Sequence, residues 1–216
     1  MQAVVFLFGA AAGLAVDVCV RRYFSEERAR FSPWRAAATA LAAGVCFLWA
    51  QARFGLGAQW FWLALFALFL LAIARVDLER LLILNRMLLP LAALGALLAL
   101  FAPHWGAAAV RWDAALMGAA ASGGLLWAIA CLMPGGLGGG DVKFAAVLGL
   151  WFGWQNVFSV LYGAVLAGAC IGVPLLLRGR AQRGVPIPFG PFMALSAWLH
   201  CIYGAQIRAW LLAALL

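Results

Sequence analysis

The chain is 216 residues long, 68% hydrophobic and 10% charged. A soluble domain of that size has too much surface for its volume to hide so much apolar matter from water, so the sequence is built for lipid. The formal net charge of +8 does not point to nucleic acid, because the basic residues sit in short loops between apolar runs.

In lipid the backbone must satisfy its own polar groups, which leaves a helix bundle or a closed β-barrel. Barrel strands alternate apolar and polar residues over short segments; this chain has long unbroken Ala/Leu/Phe/Trp runs instead. The expected fold is an all-α polytopic membrane bundle of about eight spans, with residues 1–216 forming one membrane-embedded domain. The five cysteines, Cys19, Cys46, Cys131, Cys170 and Cys201, are spread over separate apolar segments with no CxxC pair. They read as small core residues, with neither a zinc site nor a disulfide framework.

The first predicted span covers residues 3–20. Basic residues are missing before it, and Arg21-Arg22 follows it. That is the reverse of a cleavable signal peptide, so it reads as a retained helix with its N-terminus outside. Asp17, close to Arg21, reads as a neutralised anchor at the interface. Residues 21–35, holding Arg21, Arg22, Arg28, Arg30 and Arg35 with Glu26 and Glu27, form a short cytoplasmic loop closed by Ser32-Pro33.

Further spans are expected at 34–50, 58–76, 81–102, 114–133, 142–154 and 157–177, and the last from Pro191 to at least Tyr203. The segment 142–154 is only ~20 Å long as a helix, short of the ~30 Å hydrocarbon core. On this topology twelve of the fifteen basic residues share one side: the five in the first loop, Arg75, Arg80, Arg86, Lys143, Arg178, Arg180 and Arg183. Arg53, Arg111 and Arg208 fall on the other. The positive-inside rule makes the richer side cytoplasmic. Asp77 and Asp141 then meet the same face, although the count was made on cations alone.

Asp141 belongs to the stretch Gly135-Gly136-Leu137-Gly138-Gly139-Gly140-Asp141-Val142-Lys143. An ionisable residue at the edge of a membrane bundle is a functional-site hypothesis by default. Glu26, Glu27 and Asp113 sit among loop charges and Glu79 is flanked by Arg80, so solvated pairing accounts for them. Asp77 and Asp141 each stand at a helix end beside apolar sequence. Two carboxylates in a partly dry site titrate in two steps, leaving one protonated and one charged. Such a pair can hydrolyse a peptide bond by general acid–base catalysis: the charged member takes a proton from water and the protonated member supports the oxyanion.

The glycines at 138, 139 and 140 allow unusual backbone angles and close approach of a second chain, and a peptide bound extended needs such an edge. Lys143 stands either as a modulator of Asp141 or as a snorkelling interfacial cation. A phosphate loop would need a GK[ST] ending, which is missing here. The two histidines, His104 and His200, fall near the outer side, and no serine near a span has an obvious base. No metal-ligand cluster is visible. A proton or cation relay would place acids at mid-membrane depth, whereas these two lie near one face.

Gly138-Gly139-Gly140-Asp141-Val142-Lys143-Phe144, continuing through Gly149 and Gly153, resembles the GxGD region of the prepilin peptidases, the type IV leader peptidases. Asp77-Leu78 with Asn85 and Pro90-Leu91 resembles that family's first-aspartate segment. Pro186-Ile187-Pro188-Phe189-Gly190-Pro191-Phe192-Met193-Ala194-Leu195 is similar to the segment that opens its last span. The resemblance implies Asp77 and Asp141 as the catalytic pair of an aspartic endopeptidase in the bacterial plasma membrane. It implies removal of the basic leader from prepilins or pseudopilins at the cytoplasmic face, a preflagellin-type substrate being the alternative. Proteolysis requires no cofactor; S-adenosylmethionine enters only if the chain also methylates the new N-terminus. Family members often carry a larger cytoplasmic domain with two zinc-binding CxxC pairs after the first span. In this chain that region shrinks to about fifteen residues at 21–35, without cysteine. The proline and threonine expected near Asn85 are Leu84 and Leu88.

Overall fold

A computed structural model of the chain describes residues 1–24, 33–101, 110–133, 136–177 and 188–215. Seven helices form among them: α1 (Gln2–Tyr23), α2 (Pro33–Phe54), α3 (Ala58–Arg80), α4 (Asn85–Phe101), α5 (Trp112–Leu132), α6 (Gly139–Leu177) and α7 (Gly190–Leu215). Five stretches, Gln2–Tyr23, Pro33–Phe54, Ala58–Arg80, Trp112–Leu132 and Gly139–Pro174, are long and apolar enough to cross a membrane. The all-α membrane bundle is therefore as expected. Glu26, Glu27, Arg28, Arg30, His104, Gly135, Arg178, Arg180, Arg183, Pro186 and Ile187 lie outside the described residues.

The expected count of about eight spans is corrected to seven helices. The segments expected at 142–154 and 157–177 are the two helical arms of α6, which meet without a loop at Gly153, whose φ of 67° and ψ of 171° are non-helical. A side chain is strained at that φ, and a Cβ there would also lie 2.8 Å from Val110. Hydropathy sees two apolar runs but not whether the joint is a loop or a kinked helix.

The chain divides into two compact units, Met1–Val76 and Asp77–Leu216. In the first, α1 lies on α2 through glycines. A Cβ on Gly13 would stand 2.7 Å from the Thr39 carbonyl, and one on Gly9 2.9 Å from that of Ala43. Val5, Phe47 and Ala64 form the core there. Trp60 of α3 meets Phe47 edge-on, ring centroids 5.5 Å apart, and its indole N–H donates to the Phe47 carbonyl at 3.1 Å.

In the second unit, α5 packs on the first arm of α6. A Cβ on Gly149 would collide with the Gly118 backbone. The buried Ser122 hydroxyl lies 2.7 Å from the Gly118 carbonyl and 2.8 Å from that of Ala145, so it bridges the two helices. Contact this close suits a membrane bundle, where small residues let dispersion and polar bridges act between backbones. Trp151 lies over Gly95 and donates to the Leu91 carbonyl at 2.9 Å, attaching α4.

The second arm of α6 pairs with α7. Ser196 donates to the Val160 carbonyl at 2.7 Å, Gly168 faces Phe192, and His200 lies against Ser159 at 3.2 Å and edge-on to Phe152 at 5.3 Å. His200 is thus near the Gly153 break, while the start of α7 is level with the end of the second arm. The two arms run in opposite directions, and α6 returns toward the end from which it set out.

Candidate functional site

Asp77 sits in the last turn of α3. Leu81 closes that turn: its N–H donates to the Asp77 carbonyl at 2.9 Å, and its φ is 54°. It is the one non-glycine residue with positive φ among those described. A left-handed leucine costs about 1–2 kcal/mol, and strain of this kind concentrates at functional sites. The turn sends the chain sharply back and leads to Ile83, which is packed so close to Gly140 that a Cβ there would lie 2.9 Å from the isoleucine Cβ. The α3–α4 joint is thereby fastened to the glycine stretch.

The Asp77 carboxylate is 5% exposed. Its Oδ2 accepts the backbone N–H of Gly190, at the start of α7, at 2.9 Å. A Cβ on Gly190 would sit 2.8 Å from that oxygen, so only glycine lets the amide come so close.

Asp141 sits in the first turn of α6. Its N–H donates to the Gly138 carbonyl at 3.0 Å, and its Oδ2 accepts the Gly138 N–H at 3.2 Å. This is the return half of a capping box, with the acid at the third helical position. It engages one carboxylate oxygen. Asp141 is half-buried, and the charge of Asp77 acts on it directly. The structure thus brings the two aspartates together at one end of the second unit. Among the described residues, neither has a cation within ion-pair distance.

The other expected site residues divide. Gly138 caps α6, Gly140 lies against Ile83, and a Cβ on Gly139 would meet only open space. Lys143 is exposed and donates to Asn85 Oδ1 at 3.1 Å, tying the first turn of α6 to that of α4. Two positions escaped the sequence reading. Gly190 lies in a motif that was noted, but its contact with Asp77 spans 113 positions. Leu81 carries no signal, since leucine is not a turn residue.

The Ser–His geometry also needs correction. Ser159 stands 3.2 Å from His200 Nδ1, although no serine was expected to find a base. Its hydroxyl donates to the Asn156 carbonyl at 2.7 Å, and the pair sits near the Gly153 break, at the other end of the first arm of α6 from Asp141. It fastens the second arm to α7. Among the described residues no group of three or more metal-ligating side chains occurs.

Two carboxylates that meet beside a glycine-rich turn in a helical membrane bundle, with no cation in ion-pair distance among the described residues, make a candidate site in a membrane-embedded protein. The type IV leader peptidase family model matches residues 64–173, just over half the chain and including both aspartates. The chain belongs to that family and is a multi-pass protein of the bacterial plasma membrane. It is 38% identical over 143 residues to a prepilin leader peptidase/N-methyltransferase of Pseudomonas aeruginosa, covering 64% of this chain and 48% of the relative. It is 35% identical over 152 residues to one of Aeromonas salmonicida, covering 68% and 50%. To one of Bacillus subtilis it is 34% identical over 175 residues, covering 79% and 66%. The chain thus spans about half the length of the first two of these relatives. No solved structure matches it.

Proposed function

We propose that this chain is an aspartic endopeptidase that removes the basic leader of prepilins or pseudopilins at the cytoplasmic face, with Asp77 and Asp141 as its catalytic pair. The observation that carries the reading is the pairing itself: two carboxylates, within each other's field, held by backbone N–H groups and, among the described residues, by no cation.

One carboxylate is ionised and takes a proton from water as the water oxygen bonds to the scissile carbonyl carbon. The other is protonated and donates to the oxygen on which charge develops. Collapse of the tetrahedral species breaks the C–N bond, and the proton on the first aspartate passes to the leaving amine. The glycine stretch leaves room for an extended substrate beside Asp141, at Gly139 above all. The substrate's own apolar helix stays in lipid, and its basic leader is drawn to the acidic pair.

The relatives' names join the peptidase to an N-methyltransferase. Such a transferase takes its methyl group from S-adenosylmethionine. We expect an unmodified amine, since the loop at 21–35 is short and lacks cysteine. Mass spectrometry of the cleaved product, made with the donor present, checks this, and a methyl on the new N-terminus would assign the second activity as well. The peptidase reading is tested by co-expressing a prepilin with the chain. The wild type cuts it, and Asp77→Asn and Asp141→Asn leave it whole. Normal processing by either variant would sink the pair.

A further inference from the structure

The first turn of α6 is gripped through two contacts on one of its faces. Gly140 lies against Ile83, and Lys143 donates to Asn85 Oδ1 at 3.1 Å. Gly140 and Lys143 are three residues apart, ~4.5 Å along the helix axis and about 60° apart around it. Asp141, about 100° on from Gly140, stands off the gripped face. One contact would leave the turn free to pivot. Two contacts at different heights fix both its depth and its rotation.

Both partners come from the joint that begins at Asp77. The Asp77 carbonyl accepts the Leu81 N–H at 2.9 Å, Leu81 turns the chain back, and Ile83 and Asn85 follow within eight residues of the aspartate. Asn85 is the first residue of α4, whose start is closed by the Met87 and Leu88 N–H groups on the Leu84 carbonyl, at 3.0 and 3.2 Å. Asp77, α4 and α6 all lie in the second compact unit. The joint is therefore a short link between the backbones that carry the two carboxylates. Asp141 depends on it, because it stands in the first turn of its helix, where backbone N–H groups lack intrahelical partners. Gly138, Gly139 and Gly140, which precede it, leave that turn little stiffness of its own.

A snorkelling lysine needs only water at its head. Lys143 instead meets an acceptor 58 positions away, on the same joint that Gly140 touches. Both ends of this bond are exposed, where water competes for the same groups, so it adds little to stability. What it changes is where the turn sits.

We infer that Asn85 and Lys143 form a positioning pair for proteolysis, holding the first turn of α6 so that Asp141 is presented to Asp77 in reactive register. The inference rests on the aspartate-pair reading above. The test measures cleavage of a purified prepilin by the full chain in proteoliposomes, normalised to the monodisperse protein recovered. The chains compared are the wild type, Asn85→Ala, Asn85→Asp, Lys143→Met, the double variant Asn85→Ala with Lys143→Met, Asp77→Asn and Asp141→Asn.

Misplacing a reacting group by about 1 Å costs up to about 100-fold, and in these variants Ile83 still holds Gly140. We expect Asn85→Ala and Lys143→Met each to lower kcat by about 10-fold, with KM and the midpoint of thermal unfolding unchanged. The double variant should lose no more than either single one, because both remove the same bond. Asn85→Asp keeps an acceptor for the ammonium and should cleave at close to the wild-type rate. With the Asp77 and Asp141 variants inactive, wild-type kcat in Asn85→Ala overturns the inference and leaves the pair standing. Losses that multiply in the double variant, or an Asn85→Asp as slow as Asn85→Ala, do the same. So does a rise in KM with kcat intact, or a thermal midpoint that falls with kcat. Activity in the Asp77 or Asp141 variant overturns both.

Discussion

Among the described residues, Asp17 and the pair Asp77 and Asp141 are built in opposite ways. Asp17 is surrounded by cations, paired with Arg21 and Arg75. Asp77 and Asp141 have backbone N–H partners and one another. A carboxylate between two guanidinium groups is held by charge-assisted pairs, which suits a joint between helices. A carboxylate held by one amide and facing a second acid can exchange a proton, which suits catalysis. The number of acids is small in both places; the partners decide what each does.

The largest effect that follows concerns the proposed catalytic pair. Asp77→Asn and Asp141→Asn keep the shape and remove the exchange, and general acid–base groups contribute about 10²–10⁴-fold each. Cleavage in the standard assay should fall to background for both. Next in size is Gly190→Ala. The added Cβ would stand 2.8 Å from Asp77 Oδ2, pushing the carboxylate off its amide donor. We expect a loss of about 10- to 100-fold in kcat at normal protein recovery. An unchanged rate would mean that the Gly190 contact does not hold Asp77 for reaction.

The comparison also makes a prediction about pH. An acid–base pair needs one member ionised and one protonated. Below the lower apparent pKa both carry protons and no base remains; above the higher one both are ionised and no acid remains. The rate of cleavage against pH should therefore be bell-shaped. A profile that rises to a plateau, with no alkaline limb, would show that a single ionised group suffices.

Much of this was legible in the sequence, for stated reasons. The apolar runs announce helices because lipid leaves the backbone few options. The cation count brought Asp77 and Asp141 to one face because loop charge sets orientation. What stayed hidden depended on geometry rather than residue type. Gly153 looks like any other glycine in an apolar run, and only its φ of 67° shows that one helix turns back there. Arg21, four residues on, made Asp17 legible as a neutralised carboxylate, while its second partner, Arg75, lies 58 positions away. Gly190 reaches Asp77 over a longer distance still.

The smallest expected effect guards the comparison from its other side. Ser159 and His200 have the spacing of a nucleophile and its base, 3.2 Å, in a chain whose function we assign to carboxylates. The hydroxyl, however, donates to the Asn156 carbonyl, so the histidine nitrogen facing it has no serine proton to take. His200 is also packed edge-on against Phe152, which leaves little room for a scissile peptide. Ser159→Ala should therefore cleave prepilin at the wild-type rate. It should lose about 1 kcal/mol of stability, the net worth of a buried hydrogen bond, read as a lower midpoint of thermal unfolding in detergent. If Ser159→Ala instead falls to the level of Asp77→Asn, the hydrolytic centre lies near the Gly153 break in α6 and the carboxylates are the structural cluster.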